Sequence, residues 1–127
     1  MGTIRLARES NYTRTRSGNE PVRERLSVLN VADKKAIGAD IKTVQIGWPL
    51  GMPLVKKLAK HLWEIRIHLH QRIARVLFTV KDGEMVLLHG FKKSQGLPKD
   101  DFDLAEARMK EVHDGVRYDQ ETRRQRL

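Results

Sequence analysis

Arg66 and Arg75 stand in the stretch LWEIRIHLHQRIARVLF. Hydrophobic alternation on both sides of His70-Gln71 predicts two strands joined by a two-residue turn, which pairs Leu69 with Arg72, Ile65 with Val76 and Arg66 with Arg75. Like charges directly opposite one another in a sheet destabilise it by roughly 0.2–1 kcal/mol. Together, two guanidinium groups can hold a phosphate through parallel charge-assisted hydrogen bonds. In phosphodiester cleavage they would neutralise the charge that develops on the pentacovalent phosphorus. Glu64, diagonal to Arg75, also allows an ordinary ion pair, so both readings stand at this level.

A third cation follows from the next turn. Asp82-Gly83 is a strong hairpin signal; it sets Lys81 opposite Glu84 and Phe78 opposite Leu87, and brings the strand EMVLLHGF back with Gly90 opposite Arg75. In that register Trp63, Ile65, Ile67, Val76, Phe78 and Leu87 form an apolar face, while Arg66, Arg75 and Lys92 cluster on the other. Gly90, without a side chain, leaves the backbone beside Arg75 open to close approach. Arginine stays protonated at any working pH, so a general base would be His89, His61, His68 or a lysine. His89 falls on the apolar face here, where a core histidine is the ordinary expectation.

The elements that must position these residues read as a single domain of 127 residues, compact over about 12–114, with flexible basic ends at 1–11 and 115–127. TIRLA near the N-terminus is a possible short strand. A helix starting at Pro21 carries Val22, Leu26 and Leu29 on one face. A second, capped by Asn30 or Asp33, has the stripe Ile37, Ile41 and Val44 and stops at Gly47 before Pro49, which completes a helical hairpin. GWPLGMPL reads as a packed loop, and Lys56, Lys57, Lys60 and His61 as a basic run leading into a three-stranded antiparallel meander. After Phe91 a basic turn precedes a C-terminal helix entered through Asp100 or Asp101, with Phe102, Leu104 or Ala105, and Met109 inward. The fold class is α+β.

Twenty-five Lys and Arg against sixteen Asp and Glu give a formal charge of +9. That favours a polyanionic partner, with nucleic acid ahead of a membrane surface because no strongly apolar amphipathic helix accompanies the charge. The chain has no cysteine, which excludes disulfides and thiolate zinc sites. No apolar run approaches the ~18–20 residues of a membrane span and no signal-peptide core opens the chain, so a soluble cytoplasmic protein is expected.

The order of short strand, helical hairpin, meander and C-terminal helix carries EPVRERL, IGADIKTVQIGWPLGMPLVKKL, LWEIR, IARVLF and MVLLHGFKKSQ, with LP before LAEAR. Over roughly Tyr12 to Glu111 it resembles the phage-derived HigB-like branch of the RelE/ParE toxin superfamily. The resemblance implies a RelE-like fold, a small antiparallel sheet packed against an N-terminal helical hairpin with a C-terminal helix. It implies the toxin of a type II toxin-antitoxin pair, a metal-independent endoribonuclease that cuts mRNA on the ribosome and needs no organic cofactor. A helix-turn-helix antitoxin would hold it inactive, as a homodimer or a toxin-antitoxin heterotetramer.

By motif, Arg66 and Arg75 would be electrostatic stabilisers and Lys92 and Lys93 phosphate ligands or proton donors, with His61 and His89 as further catalytic candidates. Lys56, Lys57, Lys60 and Arg72 would contact RNA or the ribosome. The chain departs from the family pattern in three places. Phe102 stands in the last helix where many relatives have a tyrosine, Lys60-His61 replaces a glycine before LWE, and GLP replaces KTP. A ParE-like toxin that inhibits a topoisomerase, or a basic RNA-binding phage protein without catalysis, is the alternative.

Overall fold

The computed structural model describes residues 3–6, 29–70, 72–92 and 97–114. The elements in chain order are β1 (Arg5–Leu6), α1 (Val31–Gly47), β2 (Val55–Ala59), β3 (Leu62–Leu69), β4 (Arg72–Lys81), β5 (Glu84–Lys92) and α2 (Lys99–Asp114). The five strands form one sheet in the order β1-β5-β4-β3-β2. β1 runs parallel to β5 and every other neighbour is antiparallel, so the sheet is mixed and not the purely antiparallel one expected.

α1 forms where its sequence signals place it. The Asn30 side chain accepts from the Asp33 N–H at 2.8 Å, satisfying one of the first-turn donors, and the helix ends at Gly47. Ile37, Ile41 and Val44, spaced by three and four residues, are its buried stripe. They pack on Ile65, Ile67, Val76, Phe78 and Met85, with Trp48, Leu50 and Leu54 of the following loop against the same core. Ile4 joins this core, so part of the stretch expected as a flexible end is built into the fold. The first helix of the predicted hairpin, over 21–28, lies outside the described residues, as do 115–127.

α2 covers the other face of the sheet. Ala105, Met109 and Val112 are buried against Leu62, Leu77, Val86 and Leu88, while Leu104 turns outward. Among the described residues one helix packs on each face of the sheet, and the α2 face continues past the helix.

Both hairpin registers follow the turn chemistry. Arg66 pairs with Arg75 and Leu69 with Arg72, and Lys81 pairs with Glu84 across Asp82 (φ 54°) and Gly83 (φ 75°), the two left-handed residues a tight hairpin requires. The third strand departs midway. Phe78 pairs with Leu87 but Leu77 pairs with His89, leaving Leu88 as an extra residue in a β-bulge. From there every β5 residue is displaced by one. Gly90 lies opposite Val76 and not Arg75, Phe91 is opposite Arg75, and Lys92 is opposite Ala74. A one-residue shift exchanges the faces, so the expected register cluster of Lys92 with the two arginines is not formed by strand pairing. His89 moves off the α1 face to the rung of Leu77.

β2 is the element absent from the sequence reading. Its charged Lys56-Lys57 pair hides the alternation, yet it hydrogen-bonds along β3 with Lys56 opposite Glu64 and Lys57 opposite Trp63.

Candidate functional site

Beyond the part of the sheet that α2 covers, β3 and β4 place Arg66 and Arg75 side by side, and Glu64 sits two residues back along β3 on the same face. Its Oε1 accepts from Arg66 Nε at 2.9 Å and from Arg75 Nη1 at 3.0 Å. One carboxylate therefore bridges two guanidinium groups that would otherwise repel each other. The side chains of Glu64 and Arg75 are 1% and 7% exposed, whereas Arg66 is 30% exposed. Two positive charges against one negative leave the cluster formally cationic, with Arg66 as the group that reaches solvent. Glu64 Oε2 and Arg75 Nε are buried and have no hydrogen-bond partner among the described residues. An unmet buried polar atom costs about 1–3 kcal/mol, so the described partners leave part of this cluster's hydrogen-bonding capacity open.

The neighbouring rungs decide which other candidates belong here. Lys56, exposed, is opposite Glu64 and so shares the arginine face through the strand that the sequence reading missed. His68, exposed, follows Arg66 by two residues on that face, opposite Ile73. Lys57 is on the opposite face, its Nζ 6.0 Å from the Trp63 ring centroid. Exposed Arg72 is at the far end of β4, opposite Leu69. Lys93 lies outside the described residues, and of Lys92 only the backbone rung is placed.

Residues 24–110, most of the chain and all of the sheet except β1, match the family described as Phage derived protein Gp49-like (DUF891). The chain belongs to the phage-derived Gp49-like family. The match agrees with the phage-derived part of the resemblance drawn from the motifs; a HigB-like assignment is finer than the match. No curated protein and no solved structure matches the chain.

In this Gp49-like domain the two histidines named as catalytic candidates are set apart from solvent or from the arginines. His89 is 2% exposed, and its Nε2 lies 2.6 Å from Asp101 Oδ1 in the first turn of α2. That contact ties β5 to the helix. His61 is in the β2–β3 turn, stacked on His113 near the far end of α2. The sequence reading weighed Glu64 only as a partner for Arg75 and did not see Asp101 as a partner for His89. The Glu-x-Arg spacing on one strand face points to Glu64; the Asp101 contact, between a strand and a helix that are apart in sequence, has no such signal. Among the described residues no helix is long and apolar enough to cross a membrane.

Proposed function

We propose that this Gp49-like protein is the toxin of a type II toxin-antitoxin pair and acts as a metal-independent, ribosome-dependent mRNA endonuclease. The observation that carries the reading is the Arg66–Glu64–Arg75 cluster, a net-cationic group with Glu64 Oε2 and Arg75 Nε unpaired among the described residues and Arg66 reaching solvent, in a chain of formal charge +9.

In the proposed reaction the ribose 2′-hydroxyl loses its proton and its oxygen bonds to the adjacent phosphorus. The bond from phosphorus to the 5′-oxygen breaks, and that oxygen takes up a proton. Arg66 holds the non-bridging oxygens and Arg75, fixed through Glu64, adds the field that stabilises the extra negative charge. Lys56, on the arginine face opposite Glu64, is a phosphate ligand or proton donor, and Lys93 keeps the same role by motif. His68 is the histidine whose position suits the base, since it is exposed beside Arg66 while His89 is buried against Asp101. The partners are mRNA, the ribosome and a cognate helix-turn-helix antitoxin, and the site of action is the cytoplasm.

Induction in cells followed by mapping of mRNA 5′ ends tests the reading. New ends within coding regions, lost in Arg66→Ala, are the expected outcome; growth arrest with intact transcripts would overturn it. One observation favours the ParE-like alternative: Arg75 is almost fully buried and paired with Glu64, which suits a structural anchor under a binding surface. Arrest with intact mRNA and inhibited DNA supercoiling would be its signature.

A further inference from the structure

At the far end of α2 from the arginine row, a cleft of about 500 Å³ opens between the β2–β3 turn and the last turns of the helix. Buried Met109 and half-buried Ala59 give it apolar surface, and exposed Lys60 and Lys110 bring two cations. Glu106 and Asp114 contribute two carboxylates. His61 and His113 also line it, their rings stacked with centroids 4.5 Å apart and planes 23° from parallel.

The lower ring is held in place. Thr79, itself buried, has its Oγ1 2.7 Å from His113 Nε2, and Lys81 Nζ donates to the Val112 carbonyl at 2.8 Å. Burial, then the nearby His61 and Lys81, lower the His113 pKa, which disfavours the charged ring. The upper ring is exposed and sits on a strained backbone. His61 has φ 62°, the left-handed region that glycine enters without steric cost and a histidine does not. A glycine would make the turn more easily, yet the chain carries an aromatic side chain there, at the edge of a cleft.

Two lysines balanced by two carboxylates do not make a site for a bare anion. A flat ring, hydrogen-bond acceptors and spaced cations together match the three parts of a single-stranded nucleotide: a base that stacks, hydroxyl and amino groups that donate, and flanking phosphates. We propose that this cleft is a nucleotide subsite for RNA, in which a base stacks on His61, Glu106 and Asp114 accept from ribose hydroxyls or base amino groups, and Lys60 and Lys110 hold the adjacent phosphates. The inference rests on the reading of the protein as an RNA-cleaving toxin and adds a second point of contact. Arg66 follows His61 by five residues along β3, about 16 Å at roughly 3.3 Å per residue, so the stacked base lies several nucleotides from the phosphate at Arg66.

The test is fluorescence anisotropy of a short mixed-sequence single-stranded RNA with the full chain, across a salt series. His61→Gly should bind about tenfold more weakly with an unchanged salt slope, because stacking is not ionic, while its melting temperature holds or rises as the turn relaxes. His61→Asn, which tolerates the left-handed turn, should weaken binding in the same way. Lys110→Ala should reduce the magnitude of the salt slope by about 0.7, the value of one phosphate contact on a single strand. Wild-type affinity in both His61 variants overturns the subsite, as does a loss of affinity that only follows a loss of melting temperature. If Arg66→Ala binds weakly while the His61 variants bind as wild type, the subsite alone falls; if the wild-type chain binds no RNA at low salt, the nuclease reading falls and the subsite with it.

Discussion

Glu64 Oε1 accepts from Arg75 Nη1 at 3.0 Å with both side chains almost wholly removed from solvent. Two desolvated charges hold each other because each has lost its water, so removing either partner strands the other. Glu64→Ala should destabilise the fold by about 3–5 kcal/mol, read as a lower urea midpoint. Glu64→Gln, which keeps an acceptor without the charge, should lose less. A Glu64→Ala variant with the wild-type midpoint would show that Arg75 needs no counter-charge.

Arg66 shares that carboxylate from a position about a third exposed. Its removal leaves the Glu64–Arg75 pair intact, so Arg66→Ala should cost only about 1 kcal/mol in stability. On the proposed mechanism the same substitution removes the cation that meets the phosphate, so the variant should fold and lose toxicity on induction. Toxic, well-folded Arg66→Ala would remove Arg66 from the mechanism.

His89 and Asp101 join β5 to the first turn of α2 through a 2.6 Å contact. Asp101→Ala should leave a buried imidazole with a lost partner and cost about 1–3 kcal/mol. Amide exchange is the sensitive measurement: protection should fall first around Lys99–Asp103, while α1 is unchanged. Uniform loss of protection would mean that the contact has no local role.

Acid should weaken the end of α2 through His113. Its folded-state pKa lies below the unfolded value of 6.5, chiefly because burial disfavours the charged ring. The unfolded chain therefore binds the proton more readily, and stability is full above pH 6.5 and declines as pH falls through the folded-state pKa. His113→Gln should flatten the dependence of urea midpoint on pH in that window. An equal slope in the variant would assign the acid sensitivity to another group.

Gly83 closes the β4–β5 hairpin at φ 75° with open space where a Cβ would stand. Gly83→Ala should therefore cost about 1–2 kcal/mol through the backbone alone, with no change in the core. Thermal unfolding measures it directly. Unchanged stability would show that the turn adopts another geometry.

What the sequence by itself determined is local and periodic. The Ile37–Ile41–Val44 stripe specified the buried face of α1, and Asp82-Gly83 and the alternation around His70 specified two hairpins down to the Arg66–Arg75 and Phe78–Leu87 pairs. Each depends on side-chain spacing and turn stereochemistry within a few residues. Tertiary structure decided the rest. The bulge at Leu88 keeps β5 paired at both ends while seating Leu88 in the core under α2 and His89 against Asp101, and no pattern within β5 announces it. The Lys56-Lys57 strand forms because β3 offers an unpaired edge, against its own weak propensity. Glu64 owes its place to burial, for only when water is excluded does one carboxylate bind two arginines tightly enough to join a repulsive pair into one cluster.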